Sequence, residues 1–174
     1  MNIIGSDKTH PWAGSSGRWF PQAYRRMRSI FKDAGAANAA FGLHFLVGNQ
    51  PPFEMFNLED SDFDWIGFTV NDYAFSVSPL IYEGYRWARA NHPTKPIALF
   101  EYTLLRQDSR ASTLDNHLNL IKKLPAIKLI QICEFVSVKS WGSLKYRSSA
   151  LTEESVKILA KRVNDPYYVW QKDS

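Results

Sequence analysis

Residues 95–103 read KPIALFEYT: a lysine and a proline, the unbroken apolar run Ile97 to Phe100, and then a glutamate, Glu101, ahead of Tyr102 and Thr103. A short apolar run opened by proline and rich in large side chains reads as a strand buried on both faces. The acid at its end is out of place on stability grounds, because a carboxylate taken from water costs free energy unless it is paired. In parallel α/β architectures ligands meet the C-terminal ends of the strands. Glu101 is therefore the first candidate for chemistry, weighed against a salt-bridged structural glutamate.

Three more segments share this character: NAAFGLHFL at 38–46, FDWIGFTV at 63–70 and IKLIQICEFV at 127–136. Helical periodicity lies beside them at 21–34, 79–91, 112–124 and 152–164. Ser112 with Asp115 three residues on, and Thr152 followed by Glu153 and Glu154, suit helix starts. Gly35 suits a helix end. Strands alternating with helices predict a parallel sheet, since parallel neighbours need long crossovers and helices to cover them. The class is α/β, in a single unit spanning 1–174. Two architectures fit four such strands: an open doubly wound sheet, or an arc of a (β/α)8 barrel. A whole barrel takes about 250 residues and eight strands, so here roughly half of one would be present.

Composition narrows the function. Hydrophobic residues at 45% and charged residues at 22% suit a folded domain with a real core. The six Trp, eight Tyr and eleven Phe fit a Trp-rich core and a sugar-stacking surface equally well. The net charge of +4 is scattered without a run of five like charges, which argues against nucleic acid as a partner. Arg25, Arg26, Arg28 and Lys32 interleave with Met27, Ile30 and Phe31 as a solvated helix face would. One cysteine, Cys133, allows neither an internal disulfide nor a cysteine metal cluster, and the spacings of His, Asp and Glu suggest no metal site. No segment has the length and apolarity of a membrane span, and MNIIGSDKTH lacks the pattern of an export signal. His44, alone on an apolar strand, reads more readily as a packed strand residue than as a site residue.

Taken in order, these motifs resemble the family 26 glycoside hydrolases, which are β-mannanase-like (β/α)8 barrels. KPIALFEYT resembles that family's seventh strand, whose glutamate is the nucleophile, which implies that role for Glu101. Asp64-Trp65-Ile66-Gly67 is similar to the VDWIG motif of the sixth strand. Trp141 follows the last strand, Ser148-Ser149 precede a helix, and Asp165-Pro166-Tyr167-Tyr168 is similar to the family's DPYF ending. Asn71 stands where the family carries a tyrosine that hydrogen-bonds the nucleophile, with Tyr73 as a possible substitute, and Arg147 stands where many relatives have aspartate.

The start of the chain, Met1-Asn2 with Pro11-Trp12 shortly after, resembles the stretch just behind the family's acid/base, in His-Glu-Met-Asn. The resemblance thus implies the C-terminal half of a barrel, with the acid/base glutamate falling immediately before Met1. It implies substrate contacts from Asn2, Trp12, Trp65, Asn71, Tyr73 and Trp141, and a β-linked polysaccharide substrate such as mannan or β-glucan. No cofactor or metal is implied, and an extracellular place is implied for a full-length parent. Glu134 is the other acid in an apolar strand segment. A rival expectation is an inactive carbohydrate-binding remnant, and a third is an unrelated open α/β domain. Half a barrel would leave its edge strands unpaired, predicting self-association or poor solubility.

Overall fold

β3 (Ile97–Thr103) lies inside a four-stranded sheet, flanked by β2 (Trp65–Asn71) and β4 (Ile127–Ile132), with β1 (Gly42–Leu46) beyond β2. Every pairing is parallel, and the spatial order β1-β2-β3-β4 is the chain order. The computed structural model describes residues 17, 19–48, 53–56, 58–71, 77–104, 110–133 and 151–167. Among the described residues four helices accompany the strands: α1 (Phe20–Asp33), α2 (Val77–Asn91), α3 (Arg110–Ile121) and α4 (Glu153–Val163). Two short 3-10 turns, Phe53–Phe56 and Asp60–Asp62, fill the link between β1 and β2.

The strands form where the apolar runs predict them, with shifted ends. β1 starts at Gly42 rather than at residue 38, because Ala37 and Ala39 are held in tight turns that follow α1. That turn begins at Gly35, whose φ of +75° lets α1 close with Gly35 N–H on the Lys32 carbonyl and Ala36 N–H on the Phe31 carbonyl. α3 begins at Arg110, so Ser112 falls within its first turn instead of capping it. α2 begins at Val77, and Pro79 is accepted in the first turn, where a missing N–H breaks no helical bond. Thr152 caps α4, accepting a hydrogen bond from Ser155 N–H at 3.1 Å.

One face of the sheet carries the core. Leu43 and Phe45, Ile66 and Phe68, and Ile97 and Leu99 are buried there beneath Leu80, Ile81 and Trp87 of α2 and Leu114, Leu118 and Ile121 of α3. Each such side chain stabilises by about 1.5–3 kcal/mol when fully buried. The aromatic layer is continuous: Phe45 packs edge-on to Trp87 at 4.9 Å and tilted on Phe53 at 5.0 Å. α1 joins the same side through Phe20 on Phe56, and through the Tyr24 hydroxyl, which donates to the Gly42 carbonyl. Polar ties hold the N-terminal strand rim, where Lys95 donates to the Phe63 carbonyl at 2.6 Å and His92 meets Asp60. Beside β4, on the same face, Arg162 of α4 clasps Asp115 and Asn119 of α3.

The opposite face is different. Its residues in β1 and β2 (Gly42, His44, Leu46 and Trp65) are half-buried beside the buried Gly67 and Thr69, and Phe100 and Leu129 are half-buried and exposed. The contacts just described put all four helices on the core side. A doubly wound sheet would have helices on both sides, and sequential order with helices on one face among the described residues is compatible with an arc of a barrel.

Candidate active site at the strand ends

Strict alternation along β3 would send Glu101 to the same face as Ile97 and Leu99, under the helices. The strand avoids this with a bulge. Thr69 pairs with Phe100 and Val70 with Tyr102, so Glu101 has no partner on β2. On the other side Leu99 pairs with Ile130 and Tyr102 with Ile132. Glu101 takes φ +53°, the one described residue other than glycine with positive φ. A bulge of this kind re-aims a side chain. Glu101 is turned to the open face and exposed, while Tyr102 returns to the core, where its hydroxyl meets His117 Nδ1 at 2.6 Å. Holding a side-chain-bearing residue in the left-handed region costs about 1–2 kcal/mol, and such outliers gather at functional sites.

The re-aimed carboxylate meets two groups from neighbouring strands. The Thr69 hydroxyl donates to Glu101 Oε2 at 2.9 Å, and the same hydroxyl lies 2.8 Å from His44 Nε2. A hydroxyl has one proton to give. With that proton on Glu101, His44 must donate its own Nε2–H to the Thr69 oxygen, which fixes the tautomer. The chain His44 to Thr69 to Glu101 therefore crosses three adjacent strands, each bond polarising the next. Burial holds His44 below its ordinary pKa of 6.5, only partly opposed by the Glu101 charge, so the ring is neutral near pH 7. His44 is half-buried and hydrogen-bonded on its strand, as its isolation in the sequence suggested, and it faces Thr69 on the side of Glu101.

Around this chain stands an aromatic floor. Trp65 stacks on Phe100 with centroids 4.9 Å apart and planes 18° from parallel, and His44 is tilted on Phe100 at 6.0 Å. The indole lies flat across two glycines: a Cβ at Gly42 would fall 2.2 Å from its ring, and one at Gly67 2.7 Å. Thr103 and Cys133 complete the rim. The Cys133 amide donates to the Tyr102 carbonyl at 3.0 Å, and Thr103 Oγ1 to the Glu101 carbonyl at 3.2 Å. Burial, reinforced by the Glu101 charge, pushes the Cys133 thiol above its ordinary pKa, which keeps it protonated and a poor nucleophile.

Of the expected site residues, Glu101 and Trp65 come together on the open face, and Asn71 ends β2 opposite Thr103 in register. Asn2, Trp12, Tyr73 and Trp141, with Glu134, Arg147, the Ser148-Ser149 pair and Tyr168, lie outside the described residues. Thr69 and Phe100 went unnoticed in the sequence, where each is one more residue of an apolar run. Among the described residues no group of three or more His, Cys, Asp or Glu could hold a metal ion, and no helix is long and apolar enough to cross a membrane.

No family model, curated protein or solved structure matches this chain. What the described residues offer chemically is a carboxylate at a strand end, one oxygen fixed by a hydroxyl, set beside a flat aromatic floor.

Proposed function

We propose that the chain forms the nucleophile-bearing half of a retaining glycoside hydrolase barrel acting on a β-linked polysaccharide, mannan or β-glucan, with Glu101 as the nucleophile. The observation that carries this reading is the bulge: the strand accepts an unfavourable φ at Glu101 alone, and the result is a carboxylate presented at the C-terminal strand end. The Thr69 hydroxyl orients it, and Trp65 with Phe100 offers an apolar ring face suited to a sugar. In this mechanism Glu101 attacks the anomeric carbon, the C–O bond to the leaving group breaks, and a glycosyl ester forms. A second carboxyl group, about 5–5.5 Å away, protonates the leaving oxygen as that bond breaks and later deprotonates the water that hydrolyses the ester. The resemblance assigns that group to no residue of 1–174.

A second reading, an inactive sugar-binding remnant, is favoured by the groups gathered at Glu101. Among the described residues these are Thr69, Thr103, Cys133 and a neutral His44, none of them a carboxylic acid that could serve as proton donor.

One experiment separates the two. A 2,4-dinitrophenyl β-mannoside or β-glucoside needs no protonation of its leaving group, so Glu101 alone suffices for the first step. The expected result is dinitrophenolate release with one glycosyl adduct mapped by mass spectrometry to Glu101, absent in Glu101→Gln. Mannan itself should be cleaved only in trace amounts, since general acid catalysis is worth about 10²- to 10⁴-fold. Oligosaccharide binding without an adduct would select the remnant.

A further inference from the structure

The Thr69 hydroxyl stands between two side chains, 2.8 Å from His44 Nε2 and 2.9 Å from Glu101 Oε2, and is itself buried. Parallel register sets His44 opposite Gly67 and Leu46 opposite Thr69, so His44 reaches Thr69 diagonally along one face of the sheet. The imidazole is seated for this reach. A Cβ at Gly67 would stand 3.4 Å from His44 Cδ2, so the glycine leaves the ring its room, and Phe100 flanks the ring at 6.0 Å. A bond between His44 and Thr69 would by itself satisfy the buried hydroxyl, and such a pair gives no reason for a third member. Yet Glu101 reaches the same hydroxyl only through the bulge and a φ of +53°, a conformation disfavoured for any residue with a side chain. The strained residue is the one that completes the chain of hydrogen bonds, and strain of this kind points to a functional constraint.

We propose that His44 is a positioning residue for the nucleophile: by donating Nε2–H to Thr69 it turns the Thr69 proton toward Glu101 and holds the carboxylate in the orientation for attack. The proposal rests on the reading of Glu101 as that nucleophile. A hydroxyl proton rotates to suit its surroundings. With a donor seated on one lone pair of Thr69 Oγ1, the proton is left to the acceptor on the other side, and each bond strengthens the next. Attack needs the carboxylate oxygen within about 3–3.5 Å of the anomeric carbon and in line with the breaking bond. A carboxylate that swings is therefore a slower nucleophile, although its charge is unchanged. His44 acts only through Thr69, so its effect must vanish once the Thr69 hydroxyl is gone.

The test is a double-mutant cycle on the 174-residue chain. Its readout is the saturating rate of adduct formation on Glu101 from the 2,4-dinitrophenyl glycoside, with the half-saturating concentration measured alongside. Thr69→Val should slow that rate about 10- to 100-fold, the worth of a hydrogen bond to a charged group, and His44→Phe about 3- to 10-fold, that of a neutral one. The half-saturating concentration should hardly move in either. Thr69→Ser keeps the hydroxyl and His44→Gln keeps an N–H donor, so both should recover most of the rate. In the Thr69→Val background His44→Phe should cost nothing further. Equal losses in both backgrounds would show that His44 only packs, and would overturn the proposal. A second measurement needs no variant to fold: long-range proton–nitrogen correlation NMR of the wild type should show His44 as the Nε2–H tautomer. An Nδ1–H tautomer would make Thr69 the donor to His44 and leave Glu101 unheld, which overturns the proposal whatever the rates. A wild type that forms no adduct sinks the nucleophile reading and this proposal with it, an outcome distinct from an adduct whose rate ignores His44.

Discussion

Glu101 pays for its position with backbone strain, and that strain can be isolated. Glu101→Ala and Glu101→Gly both remove the hydrogen bond from Thr69. They differ in the freedom to hold φ +53°. Glycine normally costs about 0.5–1 kcal/mol relative to alanine inside a strand. Here the order should reverse, with the glycine variant more stable by about 1 kcal/mol in urea unfolding, since a side chain in the left-handed region is penalised by about 1–2 kcal/mol. An alanine variant as stable as the glycine one would mean that the bulge relaxes and Glu101 is not held there by its neighbours. The sequence showed this residue but not its geometry. Alternation would set Phe100 and Tyr102 together on one face and Glu101 on the other with Ile97 and Leu99, so nothing within FEY announces the bulge.

At the scale of elements, two glycines separate local from tertiary causes. Gly35 ends α1 at φ +75° with nothing within 4 Å of where a Cβ would stand. Gly35→Ala should therefore cost only the conformational penalty, about 1 kcal/mol, and leave the site unchanged. Gly42 has an ordinary φ, but a Cβ there would meet the Trp65 ring at 2.2 Å. Gly42→Ala should cost about 1–3 kcal/mol, as overpacking does, and displace Trp65 from Phe100. Trp65 lines the open face, so near-ultraviolet circular dichroism should change in Gly42→Ala and not in Gly35→Ala. The end of α1 was legible at Gly35 because a helix C-terminus is a local event. The need for Gly42 was not, because its clash partner is 23 residues away on β2 and reaches it through the pairing of Gly42 with Trp65.

For the whole molecule, acid should act in two stages. His44 has a folded pKa below its ordinary 6.5, chiefly through burial. The unfolded chain binds that proton first, so its contribution is present above about pH 6.5 and is lost as pH falls through the folded value. Asp62, held low by hydrogen bonds from Arg25, and Asp165, held low by Lys122, have ordinary values of 3.8. Their contribution is present above that value and is lost at lower pH. Stability followed by denaturant unfolding from about pH 7.5 downward should thus decline first below about pH 6.5. His44→Gln should abolish that first decline and leave the more acidic one. A variant with an unchanged first decline would place the titration on another group.

The sequence by itself determined the class, the four strands and four helices, the buried interior of β2 and β3 and the candidacy of Glu101, because these depend on periodicity and on neighbours close along the chain. β4, read as equally buried, keeps only Ile127 buried. The sequence left open whether the sheet is wound on one side or both, since the pattern of buried strands and amphipathic helices is the same in each. Only the tertiary structure decided that the strands lie in chain order with the helices on one face. It alone brought His44, Thr69 and Glu101 together. Those residues stand 25 and 32 apart in the chain, and parallel register, with one extra residue in β3, is what makes them neighbours.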